Sequence, residues 1–303
     1  MAIAIPLSSR SMPTDPKLNP VGLLPPFEVT LPTDLRRFGE RALFDTHFLT
    51  RGTYSTRRFL CGDPSIPDVL LRSIPVARGF SLECEADSPD LRRYCGQYDL
   101  ELRKDAHTDN AIGLVQAALL EVIQPHPFLW HAVAELAWRC HIVLARDDDF
   151  DISFSDPAIP FSIFISAPAR RNRNSVLRVA ENLVHETMHL QLTLFERCRP
   201  LIDTTIVWSM YSPWKQQDRP AQGILHGLYV FHVLDWMWHQ IAQTAVDDAD
   251  RSFALRRIRE IEGEIDAVRS LEQSPALTEE GSLFLRQLLG SQSGVRDLRQ
   301  FGS

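Results

Sequence analysis

Two histidines and a glutamate stand at His185, Glu186 and His189 in the run VHETMHLQL, an H-E-x-x-H pattern. On an α-helix with about 100° per residue, His185 and His189 lie about 40° apart and one turn apart along the axis, so both imidazoles reach one metal ion. Glu186 lies about 100° from His185, beside such an ion and not necessarily on it. The plainer reading is a set of satisfied core histidines. It is costly here, because two imidazoles and a carboxylate in an otherwise apolar helical segment need partners.

The third ligand decides the metal and the reaction. A zinc peptidase of the thermolysin type takes a Glu from a following helix, but no glutamate occurs between Glu196 and Glu260, which leaves only an Asp as substitute. Leu192 and Phe195 occupy the glycine and third-histidine positions of the extended H-E-x-x-H pattern, which excludes the astacin-like class. At a suitable distance is His226 in GILHGLYVFH, flanked by Gly223 and Gly227, where backbone or ligand can approach closely. His232 and His239 lie about 120° and about 140° from His226 around that helix and read as packing or surface residues.

The elements that must position these residues follow from hydrophobic periodicity. Seven prolines within residues 1–32 (Pro6, Pro13, Pro16, Pro20, Pro25, Pro26, Pro32) predict an extended arm. A helix is expected from Thr33, with Thr33 or Asp34 as cap. Residues 60–105, broken by Pro64, Pro67, Pro75 and Pro89, predict short helices and turns. Two buried helices are expected over 109–123 and 127–140, then two or three strands in HIVLAR, DISFS and PFSIFISA. A long helix opening at Asn174 or Ser175 carries the motif and ends at Pro200. A loop WSMYSPWKQQDRP leads to a helix over 221–245, and two more helices follow. The expected fold is mainly α with a small β-sheet, an α+β arrangement in which zincin-reminiscent strands precede a central H-E-x-x-H helix. Residues 33–303 form a single domain in this reading.

Composition narrows the class. The chain has 303 residues, 44% of them apolar, and a net charge of −7 from 32 basic and 39 acidic side chains, which disfavours a disordered chain and a nucleic-acid partner. Five widely spaced cysteines without a C-x-x-C pair fit neither a disulfide framework nor a zinc ribbon and suggest a reducing, cytoplasmic setting. MAIAIPLSSR lacks the charge and apolar core of a signal peptide, and the apolar run 224–242 is broken by His226, His232, Asp235 and His239, so no membrane span is expected.

The segments HETMHLQL, YSPWKQQDRP, GILHGLYVF and LTEEGSLFLRQLL, in that order over roughly residues 110–290, resemble the H-E-x-x-H-containing peptide-modification family found beside genes for ribosomally made, post-translationally modified peptides. That resemblance implies an Fe(II) and 2-oxoglutarate dependent oxygenase that hydroxylates a side chain of a precursor peptide, commonly at the β-carbon. Three neutral imidazoles from His185, His189 and His226 suit such a role, leaving open positions for a chelating 2-oxo acid and dioxygen. An all-histidine set departs from the commoner triad with a carboxylate.

The distal carboxylate of 2-oxoglutarate needs a cation, and Arg219, seven residues before His226, is the candidate, assisted by Tyr211 or Lys215. Glu186 would orient water or the peptide, or act as a ligand. Two other readings stay open: a zinc metallopeptidase with Glu186 as general base, and a non-catalytic peptide-binding scaffold. PFSIFISA, just before the motif helix, is expected to offer a sheet edge to an extended peptide. His107-Thr108-Asp109, the Asp147–Asp151 run and the Arg170, Arg171, Arg173 cluster read as a helix start, a solvated turn and a solvated loop. Trp214 is the tryptophan expected to line the site.

Overall fold

A computed structural model describes residues 31–44, 71–77, 80–85, 89–147, 150–156 and 161–297. The proline-rich arm up to residue 30, and Cys61, lie outside the described residues. Cys84, Cys95, Cys140 and Cys198 are buried free thiols.

The chain is mainly helical with a small mixed sheet. Helix α1 spans Leu31–Phe44, so Thr33 and Asp34 lie inside its first turn instead of capping it. Thr33 contacts His131 at 3.2 Å. The proline-broken region then departs from expectation: Leu71–Ala77 and Phe80–Glu85 are strands β1 and β2, paired antiparallel. Pro75 is accommodated because β1 is an edge strand among the described residues, where proline is tolerated, and the register shifts between Pro75 and Ala77. Helix α2 (Pro89–Gly96) follows. Helix α3 (Thr108–Ala117) runs on through a wider π turn, Ala118–Ile123, and α4 spans Pro127–Leu136 with proline at its start. It stops short of residue 140 because Arg139–Val143 is already strand β3.

Strands β4 (Ser153–Ser155) and β5 (Ser162–Ser166) complete a sheet of order β1-β2-β3-β5-β4. The pairs β2/β3 and β3/β5 are parallel, and β4/β5 is antiparallel. Every residue of β3 and β5 is buried, the apolar-run pattern of strands covered on both faces. The segment 161–167 of PFSIFISA is therefore interior and cannot accept a peptide; among the described residues the edge strand on that side is β4. One face is covered by α2 and its following loop through Tyr94, Cys95, Leu102, Val143 and Phe164.

The other face carries the main core. There the 26-residue helix α5 (Arg173–Cys198) packs on β4, β5 and α4. Its cap is Asn172, whose side chain accepts from the Ser175 N–H at 2.9 Å, two or three residues earlier than the sequence suggests. The expected loop after α5 contains a hairpin, β6 (Ser209–Ser212) and β7 (Gln217–Pro220). Helix α6 (Ala221–Thr244) then pairs closely with α7 (Asp248–Ala267), and α8 (Glu279–Asp297) closes the described chain. Glu181 on α5 locks this bundle: Arg257 on α7 donates to both its oxygens at 3.1 and 2.6 Å, and the Trp238 indole on α6 donates at 3.1 Å. Among the described residues no helix is long and apolar enough to cross a membrane.

Candidate metal centre

Helix α5 is buried along most of its length, yet His185 and His189 are only partly covered and point at the interface with α6. Their Nε2 atoms lie 3.2 Å apart, the separation two ligands keep on one ion with bonds of about 2.1 Å. His226 on α6 meets His189 from the other side, Nδ1 to Nδ1 at 3.4 Å, with the rings 17° from parallel. The three predicted histidines are thus contiguous, with His189 in the middle. They do not converge on one point: the described trio whose ligand atoms all fall within 4.8 Å of one another is Asp235, His239 and Glu262, between α6 and α7. The donor set itself suits a divalent transition metal, being three imidazoles, of which burial keeps His185 and His189 neutral.

That neutrality has identifiable causes. Burial pushes His185 down to about 3, helped by the charges of Lys215 and Arg257. His189 is held well below the ordinary imidazole range by burial, its two histidine neighbours and Lys215. His232, away from the cluster, is lowered to about 4 by burial.

Glu186 packs between His185 and edge strand β4. It is 1% exposed, its Oε1 is 3.8 Å from His185 Nε2, and Ser153 and Ser155 of edge strand β4 hydrogen-bond to it. Its Oε2 has no hydrogen-bond partner among the described residues. Burial pushes its carboxyl up to about 7, against the opposing effects of both serines and Lys215. A folded pKa above the ordinary carboxylate value means that the folded state loses stability as pH rises from about 4.5 through about 7. In metal-free protein, Glu186→Gln should therefore gain on the parent by roughly 2–3 kcal/mol between pH 5 and pH 8, read from urea melts at the two pH values. An unchanged difference would mean that the carboxylate is ionised in the fold.

The β6/β7 hairpin brings the remaining candidates. Arg219 pairs with Met210 in the ladder and lays its guanidinium along the first turn of α6, where a Cβ on Gly223 would meet its Nε at 3.3 Å. Tyr211 is 55% exposed, and Lys215 sits exposed in the turn. Lys215, not Arg219, is the hairpin cation whose charge acts on His185, Glu186 and His189. The ion pairs of this region join His226 to Glu196 and Arg257 to Glu181 and Glu260, and among the described residues none engages Arg219 or Lys215.

Trp214 lies one ring away from His185. It stacks on Phe231 at 5.0 Å, Phe231 packs edge-on against His185 at 5.5 Å, and the indole N–H is accepted by Glu264 at 3.1 Å. Gly227 makes this possible, because a Cβ there would overlap the Trp214 ring. Gly227→Ala should displace the tryptophan and lower stability by about 1–3 kcal/mol, with a changed tryptophan emission as the readout.

Sequence reasoning missed Glu196 and the serines of β4. Glu196 Oε2 lies 2.7 Å from His226 Nε2 and accepts from Gln222 Nε2 at 3.1 Å. The signal was present: eleven residues after His185, Glu196 returns to within about 20° of it on the helix. No signal in single-sequence patterning joins Ser153 and Ser155 to Glu186, since that contact is set by how the sheet lies on α5. A scan against protein-family models finds no match, and no curated protein is similar enough to stand as a relative.

Proposed function

We propose that this protein is an Fe(II) and 2-oxoglutarate dependent oxygenase that hydroxylates a side chain, commonly the β-carbon, of a ribosomally made precursor peptide. The observation that carries the metal is the pair of Nε2 atoms 3.2 Å apart on His185 and His189, two imidazoles that burial keeps neutral, with His226 Nδ1 3.4 Å from His189 Nδ1. His185, His189 and His226 would hold the iron, and bound iron with 2-oxoglutarate would supply the oxidising power to replace a C–H bond by C–OH, consuming dioxygen and releasing succinate and carbon dioxide. Arg219 holds the distal carboxylate of 2-oxoglutarate, while Tyr211 and Lys215 flank its entrance. Edge strand β4, beside α5, offers the ladder positions for an extended peptide. Trp214 and Phe231 exclude water behind His185.

Glu186 separates this reading from a zinc metallopeptidase. A hydrolytic base must be free to take and return a proton at a metal-bound water, whereas Glu186, although its Oε1 is 3.8 Å from His185 Nε2, is buried and held by the β4 serines. Its role here is to fix the peptide-binding edge strand to the metal helix. Its elevated pKa of about 7, the 3.8 Å from Oε1 to His185 Nε2 and an Oε2 unpartnered among the described residues are the features that favour the peptidase. Metal analysis combined with a succinate assay, with Fe(II) and with Zn(II), tests the proposal: succinate release with iron alone supports it, and zinc-dependent peptide cleavage without 2-oxoglutarate refutes it.

A further inference from the structure

We propose that Glu196 is the positioning residue of His226: it accepts a hydrogen bond from the Nε2–H of that imidazole and thereby leaves Nδ1, the nitrogen that faces His189, bare as the ligand atom. The proposal rests on the metal reading above and adds to it which nitrogen of His226 serves and what selects it. A neutral imidazole carries one N–H, and a carboxylate only accepts. With Glu196 Oε2 at 2.7 Å from Nε2, the proton belongs on Nε2 and the lone pair on Nδ1, the atom that faces His189 at 3.4 Å.

The carboxylate is itself held in place. Its side chain is 10% exposed, and Gln222 Nε2 donates to the same oxygen at 3.1 Å. Gln222 and His226 are one turn apart on α6 and so grip Glu196 from the same face. His185, His189 and Glu196 form one stripe of α5, at offsets of four and eleven residues, so a single helix face supplies two ligands and the support for the third. A carboxylate behind a ligating imidazole fixes its tautomer, locks its ring and raises its basicity, and losing one costs about 10–100-fold in metal affinity.

The test uses the full chain, without metal and then titrated with Co(II). In histidine-15N-labelled metal-free protein, long-range proton–nitrogen spectra should find His226 protonated on Nε2. Glu196→Ala should lose that tautomer preference and weaken Co(II) binding about 10–100-fold. Glu196→Gln retains an acceptor oxygen and should lose less than about tenfold, a rescue that mere space-filling does not predict. His226 protonated on Nδ1 in the parent, or a folded Glu196→Ala that binds Co(II) as the parent does, overturns the proposal. The parent spectrum decides even if Glu196→Ala fails to fold. Co(II) affinity unchanged in His185→Ala would instead overturn the metal reading, whereas absent succinate with Co(II) binding intact would overturn only the oxygenase assignment.

Discussion

His189→Ala leaves a folded protein that no longer holds metal. His189 touches both other histidines, with Nε2 against His185 and Nδ1 against His226, so its removal severs the set in the middle. The loss of affinity should exceed the roughly 10–100-fold attached to outer partners of a metal ligand, and turnover should fall to background. The fold survives because the ring is partly exposed and held neutral, so no buried charge is left unpaired. Metal per chain after gel filtration and a circular dichroism melt check both halves of this expectation. His226→Ala belongs beside it: iron binding as tight as in the parent would remove His226 from the ligand set and leave it as a partner of His189.

Arg219→Ala raises the KM for 2-oxoglutarate about 10–100-fold and lowers turnover while metal content stays near that of the parent. A charge-assisted contact to a carboxylate contributes about 1.5–3 kcal/mol, and the guanidinium lies on the hairpin outside the histidine cluster. Lys215→Ala is the matched control, since Lys215 is the hairpin cation that acts electrostatically on His185, Glu186 and His189. A KM unaltered in Arg219→Ala and raised in Lys215→Ala would move the carboxylate clamp to the turn.

The helices were legible because their periods are long and their ends carry chemistry: α5 and α6 begin and end within a few residues of expectation. Strands β3, β4 and β5 were legible as β-branched or alternating runs between polar turns. Strands β1 and β2 were not, since Pro75 argues against a strand unless its edge position is known, and sheet order is a long-range property. The hairpin β6/β7 was hidden for a similar reason, its polar, proline-flanked strands being exposed on most positions. Of the site, the contiguity of His185, His189 and His226 follows from helix periodicity and one helix–helix contact. The seat of Glu186 against Ser153 and Ser155 depends on the sheet's position over α5, and no local pattern encodes that.

The most direct test of oxidation at this centre is the mass of the precursor peptide after reaction under 18O-labelled dioxygen with Fe(II) and 2-oxoglutarate. The account predicts an intact peptide carrying one labelled oxygen atom, with succinate formed in matching amount and no product when His189 is alanine. Peptide fragments carrying oxygen from water, formed with zinc and unaffected by removing dioxygen or 2-oxoglutarate, would contradict it.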